Sequence, residues 1–357
     1  MPRKPSDRPT IGDVARECGV GRMTVSRVVN GGHLVSPETA ERVREAIRRL
    51  GYVPNEAARI LKGHEPRTIG LIVPDLADTF FSICAHAVQQ LAAKHGYLTL
   101  LLASERDPAS EATELALMKS RDIAGLLIVP SSPSSVKQLD EVCARGVPVV
   151  MLDRTFPGLT AAEVTVENTE GAAMAVRHLV QHGHTDILCV GYDSQFNSVS
   201  RRIEGYEQTM KQAELMPDLL ITNSPDEIEP RLHARLSAPK RPTAIFSLNN
   251  VTTIHILRIL QADCIPVPSE MAVIGFDDFE MAPLLSVPLT AIRQPAAEMG
   301  RRATELLLDW VRDRSATRTP LNRKISLPTE LIVRRSCGCT GQEANRGDAE
   351  SLESSAA

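Results

Sequence analysis

From residue 68 onward, nine short apolar runs recur along the chain: TIGLIVP, YLTLLLA, AGLLIVP, VPVVMLD, VTVE, ILCVGY, LLIT, TAIFSL and MAVIGF. Amphipathic helical stretches separate them. An unbroken apolar run of this length suits a strand buried on both faces, and strands alternating with helices imply parallel sheets with helices on either side. The class is therefore α/β. Residues 68 to 335 exceed one comfortable sheet, so two open sheets with a cleft between them are expected. In such sheets a ligand sits at the carboxyl ends of the strands, and two lobes can close on it about a hinge.

The first 63 residues are of a different kind. They hold 12 Lys and Arg against 7 Asp and Glu, net +5, while the remainder holds 28 against 37, net −9. A basic end on an acidic body suggests a polyanion partner at that end only. Residues 1–9 form a Pro-rich basic arm, expected to be disordered. Thr10 then reads as an N-cap, with Asp13 in the first turn and Ile11, Val14, Ala15 and Cys18 on one face, and the helix stops at Gly19. A second helix is expected from about Gly21 to Asn30, with Val25, Val28 and Val29 inward and Arg22, Met23, Ser26 and Arg27 outward. Two short helices joined by a glycine-containing turn are the helix-turn-helix pattern, whose second helix enters the major groove. Ser36-Pro37-Glu38 opens a third helix that ends at Gly51. After Tyr52-Val53-Pro54, Asn55 caps a segment too short to hold a helix alone, so it needs a twin copy or DNA.

The runs IGDVARECGV, TVSRVVN, VSPETAERVREAIRRLGYVPNEAAR and RTIGLIVPDL, followed by GFDDFE and LPTELIVRRS, resemble the lactose/galactose-repressor (LacI/GalR) family of bacterial transcription regulators as far as about residue 336. The resemblance implies an all-α helix-turn-helix head before a two-lobed core of periplasmic-binding-protein type I. It divides the chain into a head at 10–51, a hinge helix and linker at 52–66, a core at 67–336 and a disordered tail at 337–357. The N-lobe takes about 67–166 and 294–322 and the C-lobe about 167–293 and 323–336, with crossings near Val166, Arg293 and Arg323. No Leu heptad marks the tail, so a homodimer on a pseudo-palindromic operator is expected.

Family positions place the base readers at Arg22 and Met23, with Arg27 four residues on. Arginine can pair with guanine and methionine can pack on a thymine methyl, although Arg22 and Arg27 could equally be solvated or bind phosphate. Thr10, Thr24, Ser26, Asn30 and Ser36 suit phosphate contacts. In the hinge, Leu61 matches the leucine that wedges into the minor groove, Ala58 leaves room for a twin helix, and Arg59 can reach groove edges or phosphate, with Asn55 as the cap.

The same resemblance places effector contacts at Phe80, Phe81, Asp153, Ser198, Arg202, Asn249, Asp277 and Gln294. Carboxylates, amides, a guanidinium fork and an apolar wall together suit a sugar or sugar acid. Arg202 with Asp277 could instead be a structural ion pair across the cleft, and Phe80 and Phe81 could be plain core. Three positions depart from the family. Asp78-Thr79 stands where Asn-Pro is common, Asn250 replaces the usual Asp, and Phe196 stands where purine-responsive relatives have arginine, which counts against a purine.

No nucleophile or acid–base pair and no phosphate loop stand out, so neither an enzyme nor a cofactor is expected. Alternatives are a solute-binding protein of the same fold, or a sugar-processing enzyme carrying a DNA-binding module. His178, His182 and His184 in HLVQHGH lie at a helix end before Gly183, with no cysteine or carboxylate cluster converging on them in sequence. Cys337-Gly338-Cys339 is a single pair, so no metal site is expected. Seven scattered cysteines suit reduced thiols, and MPRKPSDRP lacks an apolar targeting core, so a cytoplasmic protein is expected.

Overall fold

The computed structural model describes residues 9–29, 35–53, 65–156, 158–159, 161–192, 195–312 and 323–339. The chain forms two compact units, 1–66 and 67–357. Asn30 and the hinge positions Asn55, Ala58, Arg59 and Leu61 lie outside the described residues.

The first unit holds three helices, α1 (Ile11–Cys18), α2 (Arg22–Val29) and α3 (Pro37–Leu50). The caps explain these bounds. The Thr10 backbone N–H and hydroxyl both donate to the Asp13 carboxylate, at 2.8 and 2.7 Å. Gly19 and Gly51 take left-handed φ values of 65° and 61°, a conformation open to glycine without steric cost. Val14, Ala15, Val25, Val43 and Ala46 meet in a miniature core, leaving Arg22, Met23 and Arg27 exposed.

The second unit contains two six-stranded sheets. The N-lobe contributes β1 (Thr68–Val73), α4 (Thr79–Lys94), β2 (Leu98–Ala103), α5 (Pro108–Ser120), β3 (Gly125–Ile128), α6 (Val136–Ala144), β4 (Val149–Leu152) and β5 (Ala162–Val166). The C-lobe repeats the plan with α7 (Asn168–Gln181), β6 (Ile187–Tyr192), α8 (Asn197–Gln212), β7 (Asp218–Thr222), α9 (Ile228–Leu236), β8 (Ala244–Ser247), α10 (Asn250–Ala262), β9 (Ala272–Phe276) and β10 (Thr290–Arg293). Helix α11 (Ala296–Arg312) returns to the N-lobe, followed by β11 (Lys324–Leu327) and β12 (Glu330–Ile332).

The strand orders are β11-β5-β4-β3-β1-β2 and β12-β10-β9-β8-β6-β7, so each lobe's five main strands follow one doubly wound arrangement. All pairings are parallel except β10 with β12. The central strands β3, β4, β6, β8 and β9 are buried along their whole length, as their apolar runs require. The lobes also share close helix packing at a glycine. A Cβ on Gly300 would lie 2.5 Å from the Cys84 carbonyl oxygen, and one on Gly205 would lie 2.1 Å from that of Thr169.

The chain crosses between lobes after Val166 and after Arg293, but the third crossing differs from the sequence expectation near Arg323. Residues 324–327 pair in parallel with β5, keeping β11 in the N-lobe, and the crossing falls at Pro328-Thr329. The first residues of the expected disordered tail are also ordered. Cys337 and Cys339 are buried in the C-lobe core, because the segment packs over α7. Among the described residues, no helix is long and apolar enough to cross a membrane.

Candidate functional site

The carboxyl ends of both sheets face a common cleft. After β1, Asp78 caps α4 by accepting from the Phe80 N–H at 3.1 Å, which brings Phe80 and Phe81 to the N-lobe wall. Their rings meet edge to face, 5.2 Å apart. Phe81 also belongs to the N-lobe core, so it is both wall and core. Asp153 follows β4 and Asp277 follows β9, both buried and both with left-handed φ. Gln294 follows β10, while Asn249 caps α10 by accepting from the Thr252 N–H at 2.8 Å. Ser198 and Arg202 enter from the first turns of α8. All eight effector positions expected from sequence line this one small cavity, of about 40 Å³.

Arg202 organises its polar floor. Its Nε donates to Asn168 Oδ1 and its Nη1 to the Leu248 carbonyl, each at 2.7 Å, while the guanidinium stacks 3.7 Å above the Phe276 ring. Asp277 lies 3.7 Å away, and both residues sit on the C-lobe. The pair therefore lies within one lobe, so the alternative reading of it as an ion pair across the cleft does not hold. The carboxylate that reaches Arg202 from the other lobe is Asp153, at 4.0 Å.

Burial pushes the Asp277 carboxyl up to about 6, against the opposing pull of Arg202 and the Gln294 amide. Asp78 and Asp153 add to the upward push. Two buried oxygens in the cleft, Asp153 Oδ1 and Gln294 Oε1, have no hydrogen-bond partner among the described residues. Buried acceptors of this kind are costly unless something donates to them.

Several contacts clasp the lobes. Asn250 Nδ2 donates to Asp78 Oδ1 at 2.9 Å, and Arg106 Nη1 donates to the Tyr192 hydroxyl at 3.2 Å. Thr155 N–H donates to Asn197 Oδ1 at 3.1 Å, and Asn197 Nδ2 returns a bond to Thr155 Oγ1 at 2.7 Å. The 40 Å³ cavity holds little more than one water, so these contacts describe a closed cleft. A larger cavity of about 710 Å³ adjoins it, sharing Phe80, Asp277 and Gln294. The charged groups and the two acceptors without a hydrogen bond converge in the smaller space.

Sequence reasoning missed Arg106, Arg154 and Tyr192 as cleft residues. Arg154 stacks its guanidinium 4.0 Å above the buried Phe196 ring. The departures at 78 and 250 are explained together. Asp78 and Asn250, the acid and the amide at these positions, meet in the hydrogen bond that Asn250 Nδ2 donates to Asp78 Oδ1.

In the head, the Arg22 guanidinium lies over Gly12, where a Cβ would be 3.0 Å from Nη2, and Met23 is 69% exposed. Thr10 and Ser36 are exposed at the starts of α1 and α3, whereas Thr24 and Ser26 are half-buried on α2. The model for the lacI family of bacterial regulatory proteins matches residues 10–55, and one for a periplasmic binding protein-like domain matches residues 176–337. The HTH-type transcriptional regulator DegA of Bacillus subtilis (strain 168) is 30% identical over 337 residues, covering 92% of this chain and 97% of DegA. The chain belongs to the lacI family of bacterial regulatory proteins.

This family member is a ligand-responsive DNA-binding transcription regulator. The HTH-type transcriptional repressor PurR of Vibrio parahaemolyticus is 31% identical over 332 residues, with 91% and 97% coverage of this chain and of the relative. A lac repressor dimer bound to operator and the anti-inducer ONPF superposes with a TM-score of 0.82 at 25% identity, covering 93% of this chain and 99% of that one. The transcriptional regulator CelR in complex with cellobiose gives 0.67 at 29% identity, covering 92% and 100%.

Proposed function

We propose that this regulator binds a pseudo-palindromic operator as a homodimer and represses transcription under the control of a sugar or sugar acid held in the cleft. The observation that carries the effector class is the pair of buried acceptors without a hydrogen bond among the described residues, Asp153 Oδ1 and Gln294 Oε1, beside the Asp277 carboxylate and two guanidinium groups. Adjacent hydroxyls would donate to the acceptors, a sugar carboxylate would meet Arg202 or Arg154, and Phe80 would cover an apolar ring face. The likeness to CelR with cellobiose supports the same class. A ligand of that size needs the clasp opened first, so binding and lobe closure are one equilibrium.

Arg22, Met23 and Arg27 are the proposed base readers. Thr10, Thr24, Ser26, Asn30 and Ser36 are the proposed phosphate contacts, and Asn55, Ala58, Arg59 and Leu61 form the proposed hinge. The homodimer is supported by the lac repressor dimer and by exposed apolar side chains on both lobes. Leu76, Ile83 and Leu101 on the N-lobe and Met281 and Leu284 on the C-lobe are 42%, 48%, 37%, 57% and 71% exposed.

A thermal-shift screen of sugars, sugar acids and nucleobases on the full chain, repeated with operator DNA, tests the reading. A sugar-class compound should raise the melting temperature, because it binds only the native state, and should change operator affinity. A response to nucleobases alone would overturn the effector class.

A further inference from the structure

Helix α7 ends at Gln181 with His182 as its C-cap, and the last described residues pass over its final turn. His178 and His182 are four residues apart and so share one helix face. Their ring centroids are 4.6 Å apart. Cys339 Sγ lies 3.2 Å from His182 Nε2 and 3.4 Å from His178 Nε2. Cys337 Sγ lies 3.2 Å from His178 Nε2 on the other side. The donor atoms of His178, His182 and Cys339 all fall within 4.8 Å of one another. His184, from the same HLVQHGH run, turns away and pairs with Thr243 Oγ1 at 3.0 Å. The sequence expectation that no cysteine converges on these histidines is thus corrected by 157 to 161 residues of intervening chain folding back on itself.

We propose that His178, His182 and Cys339 form a structural site for one zinc-type divalent cation per chain, which Cys337 completes by turning in from its place beside His178. Two thiolates and two imidazoles are a donor set that suits zinc and does not suit magnesium or calcium, which take oxygen. Zinc–sulfur and zinc–nitrogen bonds at a tetrahedral angle set the two donor types about 3.6 Å apart. Three of the four sulfur–nitrogen distances, 3.2 to 3.4 Å, are within a few tenths of that edge. Both imidazoles present Nε2, so each metal-bound ring would carry its proton on Nδ1.

The outer shell is built as well. Thr290 Oγ1 donates to Cys337 Sγ at 3.1 Å and itself accepts from the Arg334 N–H at 2.8 Å, which orients that sulfur. Cys337 and Cys339 are buried while His182 is exposed, leaving an entry path for the ion. Binding displaces one proton from each thiol, and the ion with two thiolates is neutral overall. Four protein donors leave no open position, so the site is structural and pins the end of the core to α7.

Titration of the full-length, phosphine-reduced chain with Co²⁺ tests this. The expected result is one Co²⁺ per chain, with thiolate-to-cobalt charge transfer and the intense d–d bands of a tetrahedral complex, displaced by an equivalent of Zn²⁺. Cys339→Ser should lose the charge transfer from that sulfur. His182→Gln, at an exposed position that the core does not need, should weaken Co²⁺ at least tenfold. Cys264→Ser, which changes an exposed thiol elsewhere, should match the parent chain. Zn²⁺ at 100 times the parent Kd should shift the folding equilibrium about a hundredfold toward the native state in the parent chain and in Cys264→Ser, and about tenfold or less in His182→Gln, reversed by a chelator. A parent chain without the tetrahedral thiolate spectrum, or a His182→Gln variant with unchanged Co²⁺ affinity, would overturn the proposal.

Discussion

Asp153 and Asp277 occupy the same position in the two lobes. Each directly follows the fourth strand of its lobe, β4 ending at Leu152 and β9 at Phe276, and each takes a left-handed φ, 58° and 75°. Asp tolerates this backbone better than most residues, but outside glycine it still costs on the order of 1 kcal/mol. The two carboxylates flank the Arg202 guanidinium, at 4.0 and 3.7 Å. The repeated α/β plan thus delivers one strained acid from each sheet to a single cation, coupling the lobes through it.

The Asp277 carboxyl, pushed up to about 6 by burial, holds its proton more tightly when folded than the ordinary value of about 3.9 allows. Its contribution to stability is therefore fully present below about pH 4 and lost as pH rises through about 6, a swing of at most roughly 3 kcal/mol. Asp277→Asn removes the titration. The melting temperature of the variant relative to the parent should rise between about pH 5 and pH 7.5. A difference that stays flat across that range would contradict this electrostatic assignment.

Asn250→Asp should open the clasp, because it sets a second carboxylate against Asp78 where an amide now donates at 2.9 Å. Amide exchange around Thr155 and Tyr192, which join the lobes alongside this bond, should speed up severalfold. Adding Asp78→Asn restores an acid–amide pair with the roles reversed and should return exchange toward the parent rate. Failure of the double variant to recover would show that the two positions are not coupled.

Arg22→Ala and Ser36→Ala should fail in different ways. Loss of a base-reading arginine costs about 1–3 kcal/mol on the preferred operator and relaxes selection at one base pair. Loss of a phosphate contact weakens all sequences alike. Binding measured on operator variants at fixed salt separates the two. A uniform loss for Arg22→Ala would move that residue to the phosphate class.

The parts legible in the sequence were those set by local rules. The central strands announced themselves because burial on both faces demands unbroken apolar runs, and Thr10, Gly19, Ser36 and Gly51 marked helix ends through their own capping chemistry. Strand β11 did not, since KISL is a half-exposed edge whose pairing with β5 depends on chain 161 residues away. Arg106 and Tyr192 were invisible for a related reason: neither has a local pattern, and they meet only because two lobes close. The histidines and cysteines beside α7 were each seen, but their convergence is a property of the fold.

The most direct test of the cleft as a control site is operator affinity of the full chain, by fluorescence anisotropy, with and without a saturating cleft ligand from the screen. The parent chain should change its operator Kd by about 5- to 150-fold, the usual span of allosteric coupling. Asp153→Asn, which alters the unpartnered acceptor, should bind the operator like the parent without ligand and show a much smaller ligand response. An operator Kd that is the same with the cleft filled and empty would contradict control through the cleft.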